Sequence, residues 1–311
     1  MPAHTARDPA LRPWRWPVAC GWLLLGGCAA HRADFLHPQG PVAAEELHLQ
    51  VLTVLWMLIV VVPVLVLTPL VAWHYRRGNA RATYRPQWEF SLWLEILVWG
   101  VPVLVVLALG VLVWVQTQRL DPYRPIASRS APLDVRVIGM DWKWLFIYPG
   151  QHVASVNELV IPAGRPVHLS MTSATVMQSL LMPSLAGQIY VMPGMRSELN
   201  LLATRTGTSF GENTQYNGRG FQDQHFAVRA LTPAQFGDWV KGLRSNGQLL
   251  GQAQYARLER PSVLSRPEGF GAVEPGLFRA VIARSRPACA ARLDQPAHTP
   301  SASTPAKEHH G

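Results

Sequence analysis

The chain has few cysteines, three among 311 residues, and none of them lies between positions 29 and 288. This absence excludes a disulfide framework from the central part of the chain. Because this part of the chain has no thiol to oxidise, it is compatible with an oxidising compartment. Cys289 stands alone near the C-terminus, and the sequence assigns it no role.

A basic stripe is also missing, although the formal net charge is +9. Four arginines fall within positions 76–85, and the basic residues after position 120 occur singly among acidic ones. Nucleic-acid-binding surfaces concentrate lysine and arginine on one face, with aromatic side chains between them. The sequence therefore excludes nucleic acid as a partner.

Charge is absent altogether from two long apolar stretches, residues 49–73 and 96–115. Each matches the roughly 20 residues that an α-helix needs to cross a bilayer. We predict a transmembrane helical hairpin over residues 47–118. Its helices lie at about 49–73 and 94–116, joined by a loop at 74–93.

The orientation of this hairpin follows from the charges beside it. Within positions 76–85 the connecting loop has no acidic residue and four arginines, which are Arg76, Arg77, Arg81 and Arg85. The positive-inside rule places such a loop in the cytoplasm and both outer flanks on the opposite side. Glu95 lies just inside the second span. It either contacts a partner helix or reaches back to the interface, and the sequence leaves both open.

The N-terminus has the pattern of a secretory signal peptide over residues 1–27. Arg7, Arg12 and Arg15 precede a short apolar run at 18–26, which is too short to span a bilayer. The following Leu-Gly-Gly-Cys ends at Cys28 and resembles a bacterial lipoprotein box, so we predict lipid attachment at Cys28. An uncleaved signal anchor is the alternative. Residues 28–46 then form a periplasmic N-terminal segment.

Beyond the hairpin the sequence predicts an all-β domain over residues 124–231. Short apolar segments are separated by turn residues, with no long helical pattern between them, which favours a β-sandwich. The predicted strands lie at 133–138, 142–148, 158–161, 166–172, 188–191, 197–202 and 225–230.

After Thr232 the sequence pattern changes from strand-like to helical. This residue caps a predicted helix at 233–243, and a weaker helical pattern follows at 276–283. Residues 232–294 are therefore predicted as a C-terminal helical arm. Residues 295–311 are too polar and too rich in proline, serine and threonine to pack, and we predict a disordered tail.

Three motifs together resemble the haem-copper oxidase subunit II family. They are Val-Ile-Gly-Met-Asp-Trp-Lys-Trp at 137–144, Glu-Ile-Leu-Val-Trp-Gly-Val-Pro at 95–102, and Pro-Ser-Leu-Ala-Gly-Gln-Ile-Tyr at 183–190. The resemblance implies a two-helix transmembrane hairpin, then an all-β cupredoxin-like sandwich with a short α-helical C-terminal arm. The aromatic segment around Trp142 is expected to pack in the core of that sandwich.

Copper-bearing relatives in this family hold two copper ions with thiolate, imidazole and thioether ligands, supplemented by a glutamate. This sequence departs from that pattern at every position that corresponds to a ligand. Amides and a phenyl ring stand where the family has histidine, cysteine, glutamate, cysteine, histidine and methionine. The replacing residues are Gln178, Asn213, Gln215, Asn217, Phe221 and Gln224. We therefore expect no metal on this chain.

This pattern of loss resembles the quinol-oxidase branch, which includes the cytochrome bo-type ubiquinol oxidases. The resemblance implies a non-catalytic scaffold subunit of a proton-translocating terminal oxidase in the bacterial inner membrane, with the C-terminal domain in the periplasm. Oxidase subunit I would be the main partner, beside other subunits and membrane lipid, and would hold the haems and copper and oxidise ubiquinol.

Two alternatives remain open at this stage. A copper-bearing cytochrome c oxidase subunit II would need thiolates that the sequence lacks, and its basic partner would need an acidic surface. The periplasmic part of this chain is basic on balance, so cytochrome c is not expected as a partner. The second alternative is a free-standing envelope lipoprotein, which would be stable without partner subunits.

Overall fold

The computed structural model of the protein describes residues 34–79, 81–83 and 86–293. The predicted signal peptide, the lipid attachment at Cys28, Arg85 and the predicted tail lie outside these described residues. Within them the chain forms a helical hairpin, a β-sandwich and a C-terminal arm.

The hairpin consists of helices α1, Pro41–His74, and α2, Leu92–Arg119. Both are long and apolar enough to cross a membrane, and they contact each other. Outside their first turns, their side chains are mostly apolar and mostly exposed. The helices extend beyond the predicted spans at both ends.

The sandwich has two sheets. The strands from 133 to 231 are β1 Leu133–Met140, β2 Lys143–Tyr148, β3 Val153–Val156, β4 Glu158–Pro162, β5 Val167–Ser173, β6 Gln178–Met182, β7 Ala186–Val191, β8 Ser197–Leu201, β9 Gly207–Asn213 and β10 His225–Leu231. Together with the later strand β12, Glu268–Phe270, they form a first sheet of order β12-β3-β2-β1-β5-β8 and a second of order β4-β10-β9-β6-β7. All seven predicted strands are confirmed, and β3, β6 and β9 are additional.

The core between the sheets is aromatic. Trp144, Phe146 and Tyr148 of β2 are fully buried, and Phe226 of β10 packs against the first two rings. The Tyr148 hydroxyl accepts a hydrogen bond from the Val160 backbone N–H at 2.9 Å. Burial raises the pKa of Tyr148, so this hydroxyl stays neutral. The aromatic segment therefore packs in the core as its sequence predicts, with Trp142 at its edge.

The two ends of the sandwich differ in what they contact. At one end, which we call the anchor end, residues beside the helical hairpin form hydrogen bonds with the sandwich. The Gln39 N–H donates to Ser184 O at 2.7 Å, and Asn200 Nδ2 donates to Pro122 O at 3.2 Å. Strands β1 and β5 begin at this end and β8 finishes there. The loop end lies opposite, roughly 25 Å away along β1.

The later part of the C-terminal arm covers the outer face of the first sheet, whereas its first helix packs against the core between the sheets through Phe236 and Val240. The arm comprises α3 Pro233–Ser245, β11 Leu249–Leu250, α4 Gln252–Glu259, β12 Glu268–Phe270, β13 Ala272–Val273 and α5 Leu277–Leu293. Leu145 and Ile147 from the sheet share a second core with Tyr255, Phe270 and Phe278 from the arm. The arm is thus not purely helical, since β12 pairs with β3 and extends the first sheet.

Candidate functional site

Four of the six residues at the predicted ligand positions meet at the loop end. Gln178 begins β6 and Asn213 finishes β9, and antiparallel pairing of these strands brings the two residues together. Asn217 and Gln224 come from the loop that joins β9 to β10. We call these four residues the amide cluster.

Gln224 is the centre of the amide cluster. Its Oε1 accepts hydrogen bonds from Asn213 Nδ2 at 3.0 Å and from Asn217 Nδ2 at 2.6 Å. Its Nε2 donates to Gln178 Oε1 at 2.7 Å and to Met140 O at 3.1 Å. All four hydrogen-bonding positions of one side-chain amide are therefore filled by protein groups.

Backbone groups set the direction of this network. Asn213 Oδ1 accepts from the backbone N–H groups of Ser179 at 2.9 Å and Gln215 at 3.0 Å. Its Nδ2 must then donate, so Gln224 presents its oxygen to Asn213 and its nitrogen to Gln178. At the other end, Gln178 Nε2 donates to Met140 O at 3.2 Å. The amide orientations follow from fixed donors and acceptors.

The cluster is tightly enclosed. Gln178, Asn213 and Gln224 are buried, with exposures of 0%, 4% and 1%. A Cβ at Gly139 would approach Gln178 Oε1 to 2.7 Å, so only glycine fits beside that amide. On burial these neutral side chains lose their hydrogen bonds to water and form hydrogen bonds within the protein instead. The cost of burial stays low because almost every polar atom has a partner.

Trp142 closes the loop end over the cluster. Its backbone φ of 67° lies in the left-handed region, which costs a bulky residue free energy. The indole ring packs against Gly220, where a Cβ would come within 2.3 Å of it. Its Nε1 donates to Asn217 O at 3.4 Å. Trp142 thus holds the β9–β10 loop rather than filling the central core.

The other two predicted positions do not join the network through their side chains. Gln215 contributes its backbone, whose carbonyl accepts from Asn213 Nδ2 at 2.8 Å. Phe221 packs against Tyr216 with ring centroids 5.7 Å apart. His225 is exposed. Four of the six positions therefore converge and two lie at the margin.

Sequence reasoning missed the backbone partners of the cluster, Met140 O and Ser179 N–H. The identity of a side chain does not indicate which backbone groups will accept or donate a hydrogen bond here. The pairing of the strands alone brings these two backbone groups to the cluster. The glycines offered a weak signal, since Gly139 lies three residues before Trp142 and Gly220 lies directly before Phe221. Glu95 lies in α2, where its Oε2 accepts a hydrogen bond from Trp99 Nε1 at 3.0 Å.

The chemistry of this donor set does not fit a dinuclear copper centre. Such a centre needs soft thiolates to bridge the metals, with imidazole and thioether beside them. The amide cluster offers neutral carboxamides whose oxygens, apart from Asn217 Oδ1, already accept protein hydrogen bonds. Among the described residues, no three His, Cys, Asp or Glu side chains are grouped so as to hold a metal ion.

Comparisons with known proteins agree with this fold and with the residue pattern. The family described as cytochrome c oxidase subunit II, periplasmic domain, matches residues 150–228, and the COX aromatic-rich motif matches residues 244–285. Ubiquinol oxidase subunit 2 of Acetobacter aceti is 41% identical over 264 residues, covering 84% of this chain and 85% of that protein. The chain belongs to the quinol-oxidase branch of the haem-copper oxidase subunit II family.

Other relatives carry related names. Cytochrome bo(3) ubiquinol oxidase subunit 2 of Pseudomonas putida is 39% identical, covering 84% of this chain and 82% of that protein. Quinol oxidase subunit 2 of Bacillus subtilis is 36% identical, covering 76% and 74%. The expected family, and its fold of a helical hairpin followed by a cupredoxin-like sandwich, are confirmed. This subunit II is similar to components of terminal oxidase complexes.

Proposed function

We propose that this subunit II serves a respiratory quinol oxidase as a scaffold that takes no electrons itself. The observation that carries the proposal is the amide cluster, whose positions correspond by resemblance to the metal ligands of copper-bearing relatives. A network of neutral amides, satisfied at every side-chain oxygen except Asn217 Oδ1, has no redox chemistry and no soft ligand to offer a copper ion. The sandwich is kept intact around it, which supports a structural role.

The partners follow from the relatives. Their names describe subunits of ubiquinol and quinol oxidases, so oxidase subunit I is the proposed main partner of this chain. Subunit I would hold the haems and copper, oxidise ubiquinol, reduce oxygen and translocate protons. Helices α1 and α2 would brace it within the bilayer, and Glu95 would contact one of its helices.

The proposed location is the bacterial inner membrane. The two apolar helices would cross it, with the loop that contains Arg76, Arg77 and Arg81 in the cytoplasm. The sandwich and the arm would lie in the periplasm, and a lipid on Cys28 would anchor the N-terminus on the same side. Protease digestion of intact spheroplasts should remove the sandwich and spare the loop at 74–93.

The test is oxygen consumption by the purified complex with two electron donors, ubiquinol and reduced cytochrome c. We expect turnover with ubiquinol alone, and no near-infrared mixed-valence copper band from this chain. Turnover with cytochrome c, or copper that co-purifies with the isolated subunit, would contradict the proposal. Purification without any haem-bearing partner would instead favour a free-standing lipoprotein.

A further inference from the structure

A cavity of about 320 Å³ lies at the anchor end, between the first turns of α1, the linker after α2 and strands β7 and β8. Part of its wall is apolar and includes Val42, Ile126 and Leu199. The rest is lined by charged residues of both signs. Its size lies at the lower end of the range for small-molecule sites.

The charges around this cavity are not paired with each other. Arg119 ends α2 and Arg124 follows in the linker, and neither guanidinium forms an ion pair among the described residues. Glu45 likewise has no ion pair there. Asp121 Oδ1 accepts the Tyr123 N–H at 2.9 Å and pairs with no cation in the described part. Opposite charges therefore share one cavity without neutralising each other directly.

The position of the cavity indicates what kind of molecule reaches it. Helix α1 begins at Pro41 and α2 ends at Arg119, and both residues line the cavity. If the helices cross the membrane as proposed, the cavity opens at the outer surface of the bilayer, at the depth of lipid headgroups. The inference rests on that proposed placement. Exposed Tyr123 beside it suits the same interfacial depth.

We propose that this cavity binds one phospholipid with a phosphoethanolamine headgroup. Arg119 and Arg124 hold the phosphate, because the planar guanidinium fork matches its oxygens. Glu45 and Asp121 accept hydrogen bonds from the primary ammonium, while the apolar wall contacts the glycerol region.

The charge pattern selects this headgroup over two common ones. A phosphatidylglycerol headgroup has a phosphate but no cation, so it gives the carboxylates of Glu45 and Asp121 no ion pair. Glu46 also lines the cavity and adds a further acidic side chain to the set. A choline headgroup has a cation without N–H donors, so it cannot give the carboxylates hydrogen bonds. Only an ammonium with N–H donors satisfies both sets of side chains.

The experiment measures lipid retention by the purified oxidase complex in nanodiscs. The discs contain phosphatidylcholine with equal small fractions of phosphatidylethanolamine or phosphatidylglycerol, and lipids that survive a detergent wash are counted by native mass spectrometry. We expect preferential retention of phosphatidylethanolamine. Arg119→Gln and Arg124→Gln should each lower it about fivefold, the usual effect of one arginine at a lipid surface.

Two further variants make the result specific. Glu45→Gln should reduce the preference for phosphatidylethanolamine over phosphatidylcholine, because it removes an acceptor for the ammonium. Arg279→Gln, an exposed arginine on α5 that lies outside the cavity, should change nothing. Ubiquinol oxidase activity of each complex reports that it is assembled and folded.

Three outcomes would overturn the proposal. Equal retention in the wild type and in the Arg119→Gln, Arg124→Gln double variant would show that the cavity does not hold the lipid. A preference for phosphatidylglycerol would show that the carboxylates have no part in selection. Release of the chain from membranes by alkaline carbonate would refute the membrane placement itself, whereas the first two outcomes would leave that placement intact.

Discussion

At the scale of single residues, the amide cluster shows how four neutral side chains can fill a site predicted to correspond to the metal ligands of copper-bearing relatives. Each amide has a donor end and an acceptor end, so a chain of them has a direction. Here Ser179 N–H fixes one end and Met140 O fixes the other. Because the interior has a low dielectric, such a network is stable only when its members are satisfied together.

Gln224→Met tests this account, since it places the thioether of copper-bearing relatives among three remaining amides. The change removes the acceptor for Asn213 Nδ2 and Asn217 Nδ2 and the donor to Gln178 Oε1. Each buried group left without a partner costs about 1–3 kcal/mol, so we expect the free energy of unfolding to fall by about 2–4 kcal/mol. Thermal unfolding of the full chain in detergent measures it.

The matched control is Gln222→Met, an exposed position in the same loop. It introduces the same side chain without touching the network, so its stability should remain within about 0.5 kcal/mol of the wild type. Equal stability of the two variants would contradict a structural role for the amide cluster.

At the scale of elements, strand β9 is positioned by a close approach to β10. Gly211 lies opposite Phe226 in the antiparallel register. A Cβ on Gly211 would come within 2.1 Å of the Phe226 ring, so the ring occupies the space that any side chain would need. That ring packs on Phe146 in the core and cannot move freely. One glycine therefore sets how closely β9, and with it Asn213, approaches the core.

We expect Gly211→Ala and Gly237→Ala to change the free energy of unfolding in opposite directions. The first forces an extra methyl group into a packed core, and we expect a loss of about 1–3 kcal/mol in the free energy of unfolding. The second lies in helix α3, where no atom approaches the new Cβ within 4 Å. Alanine favours a helix over glycine by about 1 kcal/mol, so stability should rise. Chemical denaturation measures both, and a loss in each variant would contradict the structure.

At the scale of the whole molecule, Lys143 joins the sandwich to the arm. This lysine of β2 is fully buried, and its Nζ donates to Leu258 O at 2.9 Å and Arg260 O at 2.8 Å. Those carbonyls lie at the end of α4, where the helix leaves acceptors without intrahelical partners. The Lys143 ammonium therefore satisfies two carbonyl groups at the C-terminus of α4. In doing so it joins the arm to the first sheet.

This contact predicts a dependence of stability on pH. Burial lowers the pKa of Lys143 below its ordinary 10.5, with Asp141 and Glu268 opposing the shift. Between the lowered pKa and 10.5 the unfolded chain binds more protons than the folded chain, so the free energy of unfolding should rise with pH in that alkaline window. Lys143→Met should remove this rise, measured by denaturant unfolding at several alkaline pH values.

Lys241→Met is the control for the pH experiment. Lys241 is a lysine on α3 with a largely exposed side chain and only a surface contact with Asp238. The variant should keep the alkaline rise of the wild type. An unchanged rise in Lys143→Met would show that another group causes it.

Several features could be read from the sequence because they depend on local patterns. Uncharged stretches define α1 and α2, and alternating apolar residues define strands such as β1. Strands β6 and β9 were missed for physical reasons. Residues 178–182 are largely buried without alternation, and residues 207–213 include two glycines and polar residues of low strand propensity. Helix α4 was missed because only Tyr255 and Leu258 mark its buried face.

The sequence by itself determined which residue types occupy the six ligand positions, and with them the absence of thiolates from the sandwich. Only the tertiary structure decided that four of the six converge, since Gln178 and Gln224 are 46 residues apart and meet through strand pairing. It also decided the direction of their hydrogen bonds. An amide can turn either way, and the backbone groups of Ser179, Gln215 and Met140 select the orientation that leaves the fewest buried polar atoms unpaired.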